Sequence, residues 1–182
     1  MNNVFLGANA VLFIGRAGAG KTEAAERVID TVFRARKYPM ALELKRIAID
    51  MGWDGAKDQA GRRLLQHLGD VGREYNPNVW VDGAIRALWN DWVKGVWANV
   101  FVADDVRYLN EMERISEKFL SVCVIKIVRP HEGNLSGLEI LQHRSERFWS
   151  ILPYDFEVLN NGSIADLHNE IDAIIEEIGL GC

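Results

Sequence analysis

Residues 15–22 of this chain read Gly15-Arg16-Ala17-Gly18-Ala19-Gly20-Lys21-Thr22. It matches Gly-x-x-x-x-Gly-Lys-Ser/Thr and lies between a short apolar run, Ala-Val-Leu-Phe-Ile at 10–14, and a helical pattern expected over 20–36. The glycines let the backbone curl so that successive N–H groups point inward, and a helix beginning near Lys21 turns the positive end of its dipole to the same place. Such a loop holds phosphate. Lys21 is positioned to bridge the β- and γ-phosphates of a nucleoside triphosphate, Thr22 to ligate Mg²⁺, and Arg16 to add a phosphate contact. ATP and Mg²⁺ are the expected cofactors, with Gly15, Arg16, Ala17, Gly18, Ala19, Gly20, Lys21 and Thr22 as the nucleotide-binding residues.

Three further apolar runs follow the loop. Trp97 to Ala103 ends in Asp104 and Asp105, Val122 to Val128 ends at Arg129-Pro130, and a weaker run spans Phe156 to Leu159. Strands alternating with helical patterns indicate βαβ units and a parallel sheet whose ligands sit beyond the carboxyl ends of the strands. The middle, from about 42 to 94, carries no clear strand and reads as several helices, one of them around Val79 to Trp92. Val81, Ile85, Leu88 and Trp92 recur at helical spacing, so Trp80, Trp89 and Trp92 are expected to pack in the core rather than stack on a ligand. The expected architecture is a single α/β domain over 1–182: a central parallel sheet flanked by helices in three layers, a helical insertion at about 38–95, and a small lid at about 129–150.

Composition limits the partners. With 182 residues, 48% of them hydrophobic, the chain can bury one sizeable core. A net charge of −5 and a pI near 5.4 remove any general attraction to nucleic acid, so a phosphorylated ligand has to be met by local basic groups. Cys123 and Cys182 make no disulfide framework and fit a reducing compartment. Met1 to Phe13 lacks the features of a signal peptide, and no apolar run approaches membrane-spanning length. A cytoplasmic protein without membrane or nucleic-acid partners is expected.

A second constellation points to an acceptor. In Gly61-Arg62-Arg63-Leu64-Leu65-Gln66-His67-Leu68-Gly69, positions 62, 66, 69 and 73 share one helical face and Leu64, Leu65 and Leu68 oppose them. That pattern predicts leucines packed inward and Arg62, Gln66 and Arg73 presented to a monophosphate and a base edge, with Gly69 and Gly72 breaking the helix before Arg73. A carboxylate at a strand end beside a phosphate loop can hold Mg²⁺ through water. Either Asp104 or Asp105 can serve; Asp104 is taken as the metal-side acid and Asp105 as catalytic, with Arg107 reaching the transferring or the acceptor phosphate. After Val128, the stretch Arg129-Pro130-His131-Glu132-Gly133, followed by His143, Arg144 and Arg147, reads as a lid whose arginines close over phosphates and exclude water.

Taken in order, these segments resemble the deoxynucleoside monophosphate kinases of tailed bacteriophages, within the P-loop nucleoside monophosphate kinase superfamily. The likeness is carried by the loop at 15–22, by Lys57 to Arg73 against K-D-x-x-G-R-x-L-L-Q-x-x-G, by D-V-R-Y-L-N-E at 105–111, by His143-Arg144-Ser145-Glu146 against H-x-S-E, and by Asn160-Asn161-Gly162-Ser163 against N-D-G-S/T. It implies transfer of the ATP γ-phosphoryl group to a deoxynucleoside 5′-monophosphate. Lys21, Asp105, Arg107 and Arg144 would be catalytic. Lys45, Lys57, Arg62, Gln66, Arg73, Arg129, His143 and Arg147 would bind the acceptor, and Asn161 and Gly162 would lie near adenine. The resemblance leaves room for a homodimer, and for the host cytoplasm as location if the chain is phage-encoded. Asp104 stands where many relatives have serine, Asn161 replaces the usual acid, and Met40 to Lys45 only loosely resembles F-A-D-P-L-K. Two other readings stay open: a kinase for another phosphorylated acceptor, such as dephospho-coenzyme A or phosphomevalonate, and a nucleotide-dependent switch protein.

Overall fold

The computed structural model describes residues 8–56, 58–130 and 149–181. In chain order the elements are β1 (Asn9–Ile14), α1 (Lys21–Thr31), β2 (Ala35–Lys37), α2 (Leu42–Asp50), α3 (Gln59–Tyr75), α4 (Val79–Val93), β3 (Val100–Ala103), α5 (Leu109–Ser116), β4 (Ser121–Val128), a 3-10 turn (Trp149–Ile151), β5 (Phe156–Leu159) and α6 (Ile164–Glu177). The five strands form one parallel sheet in the order β2-β3-β1-β4-β5, which places β1, and the loop that follows it, at the centre.

A parallel sheet has to be covered on both faces, and the strands show how. Leu12 and Ile14 of β1 point into one cluster with Phe101 and Ala103, closed by Val81, Ile85 and Leu88 of α4 and Met112 and Ile115 of α5. Val11 and Phe13 point the other way, into a cluster with Val102, Ile125 and Ile127, closed by Ala24, Ala25 and Val28 of α1 and Leu167, Ile171 and Ile175 of α6. The alternation of side chains along a strand thus feeds two cores from a continuous apolar run. This is the three-layer α/β architecture of P-loop kinases. No helix among the described residues is long and apolar enough to cross a membrane.

Three expectations fail in detail. The helix expected over 20–36 stops at Thr31: Val32 is extended, Arg34 adopts a φ of 57°, and Ala35–Lys37 pairs in parallel with Val100–Val102 as an edge strand. With only Ala35 of its three residues buried, β2 has no apolar run to announce it. Neither glycine breaks α3, which runs on to Tyr75, and its packed face is not the expected leucine face. Gly69 is buried against Leu44 and its carbonyl accepts the Trp80 indole N–H at 3.0 Å, while a Cβ at Gly72 would lie 2.3 Å from the Trp80 ring. Small residues let α2 and α4 approach there, and Leu64, Leu65 and Leu68 are left half-buried. Finally, Trp80 is buried and Trp92 is half-buried with its indole N–H donated to Ala98 O, but Trp89 is 46% exposed and does not pack in the core.

Candidate functional site

The loop between β1 and α1 has the form a phosphate cradle requires. Gly15 has φ 142° and a Cβ there would stand 2.3 Å from the Ile127 carbonyl oxygen; Gly20 has φ 105° and a Cβ there would stand 2.4 Å from Asn160 Nδ2. Both positions accept glycine alone. On the outer side, a Cβ at Gly18 would meet nothing within 4 Å, so the backbone is open to approach. The Lys21 ammonium donates to Gly15 O at 2.8 Å and Arg16 O at 2.7 Å, which holds it over the loop. Backbone amides, a helix N-terminus and an ammonium converge on one place, and that donor set fits the phosphates of ATP.

Asn160, at the end of β5, anchors this cradle from below. Its side-chain amide donates to Ala19 O at 2.8 Å, and its backbone N–H donates to Val128 O. Asn160 is buried, whereas Asn161 and Gly162, the residues expected near adenine, are exposed in the turn before α6. Ser163 then caps α6, accepting from Asp166 N while Asp166 accepts from Ser163 N.

The two acids after β3 separate cleanly. Asp104, buried, accepts the Thr22 hydroxyl on Oδ2 at 2.8 Å and an ion pair from Lys37 on the same oxygen at 2.9 Å. Burial lowers the Lys37 pKa, but its hydrogen bonds to Asp104 and Glu26 outweigh that and hold the ammonium above its ordinary value. Asp105 faces away from the loop: its carboxylate accepts the N–H groups of Met40 at 2.7 Å and Ala41 at 3.0 Å, fixing the turn into α2. Burial pushes its pKa up against the lowering by those two bonds. The expected catalytic placement of Asp105 is corrected accordingly: it touches the chain at 40–41, not the phosphate loop. Among the described residues no group of three or more His, Cys, Asp or Glu is placed to hold a metal on its own. Thr22 and Asp104 nevertheless set two hard oxygens at the loop, which suits Mg²⁺, an ion that keeps water and phosphate oxygens as its other ligands.

A separate cleft of about 600 Å³ lies between α3, the start of α5 and Ile151–Pro153. Arg73 forms one wall of it. Its guanidinium lies over the Tyr108 ring at 4.3 Å and faces Glu111 Oε1 at 3.5 Å, and its Nε is buried without a hydrogen-bond partner among the described residues. Glu111, 1% exposed, also accepts the N–H groups of Arg107 at 2.9 Å and Tyr108 at 3.2 Å, so one buried carboxylate fixes both the arginine and the turn that carries Arg107. Burial raises the Glu111 pKa, opposed by the Arg107 N–H bond and the Arg73 charge.

The remaining expected residues scatter. Lys45 and Gln66 are half-buried on α2 and α3, Arg62 is exposed on α3, and Arg129 is exposed beyond β4. Lys57, His143, Arg144 and Arg147 lie outside the described residues, as does most of the expected lid. Three side chains that hold these groups in place carry no expectation from the sequence: Glu111 lies inside a motif without a role of its own, Asn160 stands beside Asn161, and Lys37 belongs to no motif.

No protein-family model matches the sequence. Over 164 residues the chain is 30% identical to the uncharacterized protein ORF77 of Ictalurid herpesvirus 1 (strain Auburn), covering 90% of this chain and 68% of that protein. In fold it is similar to a sugar kinase from Janibacter sp. HTCC2649, with a TM-score of 0.53 and 15% identity over 95% of each chain. It is also similar to a putative kinase from Chloroflexus aurantiacus, with a TM-score of 0.52 and 10% identity over 98% of this chain and 100% of that one.

Proposed function

We propose that this chain, which belongs to the same family as the ORF77 protein of Ictalurid herpesvirus 1, is a P-loop kinase that phosphorylates a small molecule already bearing a phosphate. The acceptor that the resemblance implies is a deoxynucleoside 5′-monophosphate, and the products would be the diphosphate and ADP. The observation that carries this reading is the presence of two cationic stations: Lys21 at the Gly15–Thr22 loop, and Arg73 in a cleft of its own, oriented by Tyr108 and Glu111.

The chemistry asks little of a general base, because the acceptor oxygen is already anionic; positioning and charge stabilisation supply the rate. Loop amides and Lys21 hold the β- and γ-phosphates and stabilise charge on the transferring group. Thr22 and Asp104 would hold Mg²⁺, which when bound neutralises charge between the β- and γ-oxygens. Arg73 and Arg107 orient the acceptor phosphate. Glu111 keeps both arginines in register, and Asp105 fixes the turn from which α2 starts.

A panel of deoxynucleoside and ribonucleoside monophosphates, dephospho-coenzyme A and phosphomevalonate, assayed by coupled ADP release, tests the reading. A deoxynucleoside monophosphate should stimulate ADP release at least about a hundredfold over ATP alone, as expected where positioning of the acceptor replaces chance attack by water. Stimulation only by another acceptor would change the substrate. A rate that no acceptor alters would replace the kinase by a nucleotide switch.

A further inference from the structure

Lys37 closes β2, and its ammonium has two partners, Asp104 Oδ2 at 2.9 Å and Glu26 Oε1 at 2.9 Å. The Asp104 oxygen is the same one that accepts the Thr22 hydroxyl. The acid best placed to serve a nucleotide-bound metal is therefore already neutralised by a cation of the protein itself. The Asp104 side chain is 9% exposed and that of Lys37 22%, so the pair is only weakly screened by solvent. Glu26 is different: at 51% exposure it offers the ammonium a second, water-facing position on the adjoining helix α1.

We propose that Lys37 is a resident counter-ion of Asp104 which the metal of a magnesium–nucleotide must displace, so that Lys37 sets the Mg²⁺ concentration at which the site fills. The inference rests on the reading of Asp104 as the metal-side acid. A buried carboxylate left alone is costly, and the ammonium removes that cost while no metal is present. A dication and an ammonium at one carboxylate oxygen repel each other, so as the metal approaches, the ammonium gives up Asp104 and keeps Glu26, whose exposed carboxylate holds it without a large desolvation cost. The loop is thereby biased against free Mg²⁺ and towards Mg²⁺ that arrives with phosphate.

The test is calorimetric titration of ADP into the full chain at a series of Mg²⁺ concentrations, recording the Mg²⁺ midpoint for tight ADP binding. Lys37→Met should lower that midpoint roughly fivefold, the scale of one partly screened ion pair. Lys37→Arg should leave it within about twofold of wild type, since the charge is kept. Glu26→Gln, which removes the alternative partner, should raise the midpoint. In an Asp104→Asn background, Lys37→Met should shift it less than about twofold, because the ammonium acts through that carboxylate. An unchanged or raised midpoint in Lys37→Met overturns the proposal. Should Lys37→Met fail to fold, Glu26→Gln decides: an unchanged or lowered midpoint overturns it equally. A wild-type protein that binds no ADP at any Mg²⁺ concentration would overturn the nucleotide-site reading as well, an outcome distinct from all the others.

Discussion

The proposed nucleotide station is built mainly from eight consecutive residues, Gly15 to Thr22, whereas the proposed acceptor cleft is gathered from α3, Tyr108 to Asn110 and Ile151–Pro153. In the proposed reading the loop acts chiefly through backbone amides, which the glycine conformations aim and Asn160 supports. The acceptor cleft would act through side chains: Arg73 stacked on Tyr108 and tethered to Glu111. One half is thus set by chain conformation and resists change of specificity, while the other can be altered one residue at a time. Substitutions on the two sides should separate in their kinetics.

The largest effect is expected at Lys21. Lys21→Ala should reduce kcat by 10²-fold or more, the usual cost of losing one preorganised donor to the transition state, with every acceptor affected alike. Steady-state rates within about tenfold of wild type would dismiss the loop as the catalytic station. Arg73→Ala should behave oppositely. kcat/KM for the acceptor should fall roughly ten- to hundredfold, while ADP affinity measured by calorimetry stays within about twofold. Equal losses on both substrates would mean that the two walls are not independent.

Asn160→Ala probes what supports the backbone half. It leaves the buried Ala19 carbonyl without its donor and should cost about 1 to 3 kcal/mol in denaturant unfolding, with a matching loss of ADP affinity and little change in acceptor discrimination. A smaller, sign-specific effect is expected at Glu111. Its folded-state pKa is raised, chiefly by burial, so the folded chain holds a proton that the unfolded chain has released. The Glu111 contribution to stability is therefore most favourable below the ordinary carboxylate range, declines as pH rises through that range to the raised value, and is constant above. Glu111→Gln should abolish that decline, seen as a wild-type minus variant Tm difference that falls with pH and then levels; parallel Tm curves would show that Glu111 does not titrate in this way.

How much of this could be read from the chain follows the same division. β1, its loop and α1 were legible because a five-residue apolar run, a glycine pattern and a helix start are local features. β3, β4 and β5 were legible as apolar runs, and α4 by its periodicity. β2 was not: Ala35–Lys37 is short, polar and defined by its pairing with Val100–Val102, a distant segment. The face of α3 was misjudged because periodicity counts leucines and is blind to Gly69 and Gly72, whose burial is decided by Leu44 and Trp80 from other helices. The choice between Asp104 and Asp105 lay beyond spacing as well, since neighbouring residues at a strand end face opposite ways and only the sheet decides which one meets Thr22. Lys37 bridges Asp104 and Glu26 from three separate parts of the chain, a relation no motif encodes.

In the proposed reaction a phosphate taken from ATP at the loop is delivered to a phosphorylated acceptor held by Arg73. Incubating the protein with γ-labelled ATP, Mg²⁺ and the deoxynucleoside monophosphates, then separating the products, follows that phosphate directly. The account predicts label in a deoxynucleoside diphosphate, lost in Lys21→Ala and strongly reduced in Arg73→Ala. Label found solely as inorganic phosphate, whatever acceptor is present, would contradict it.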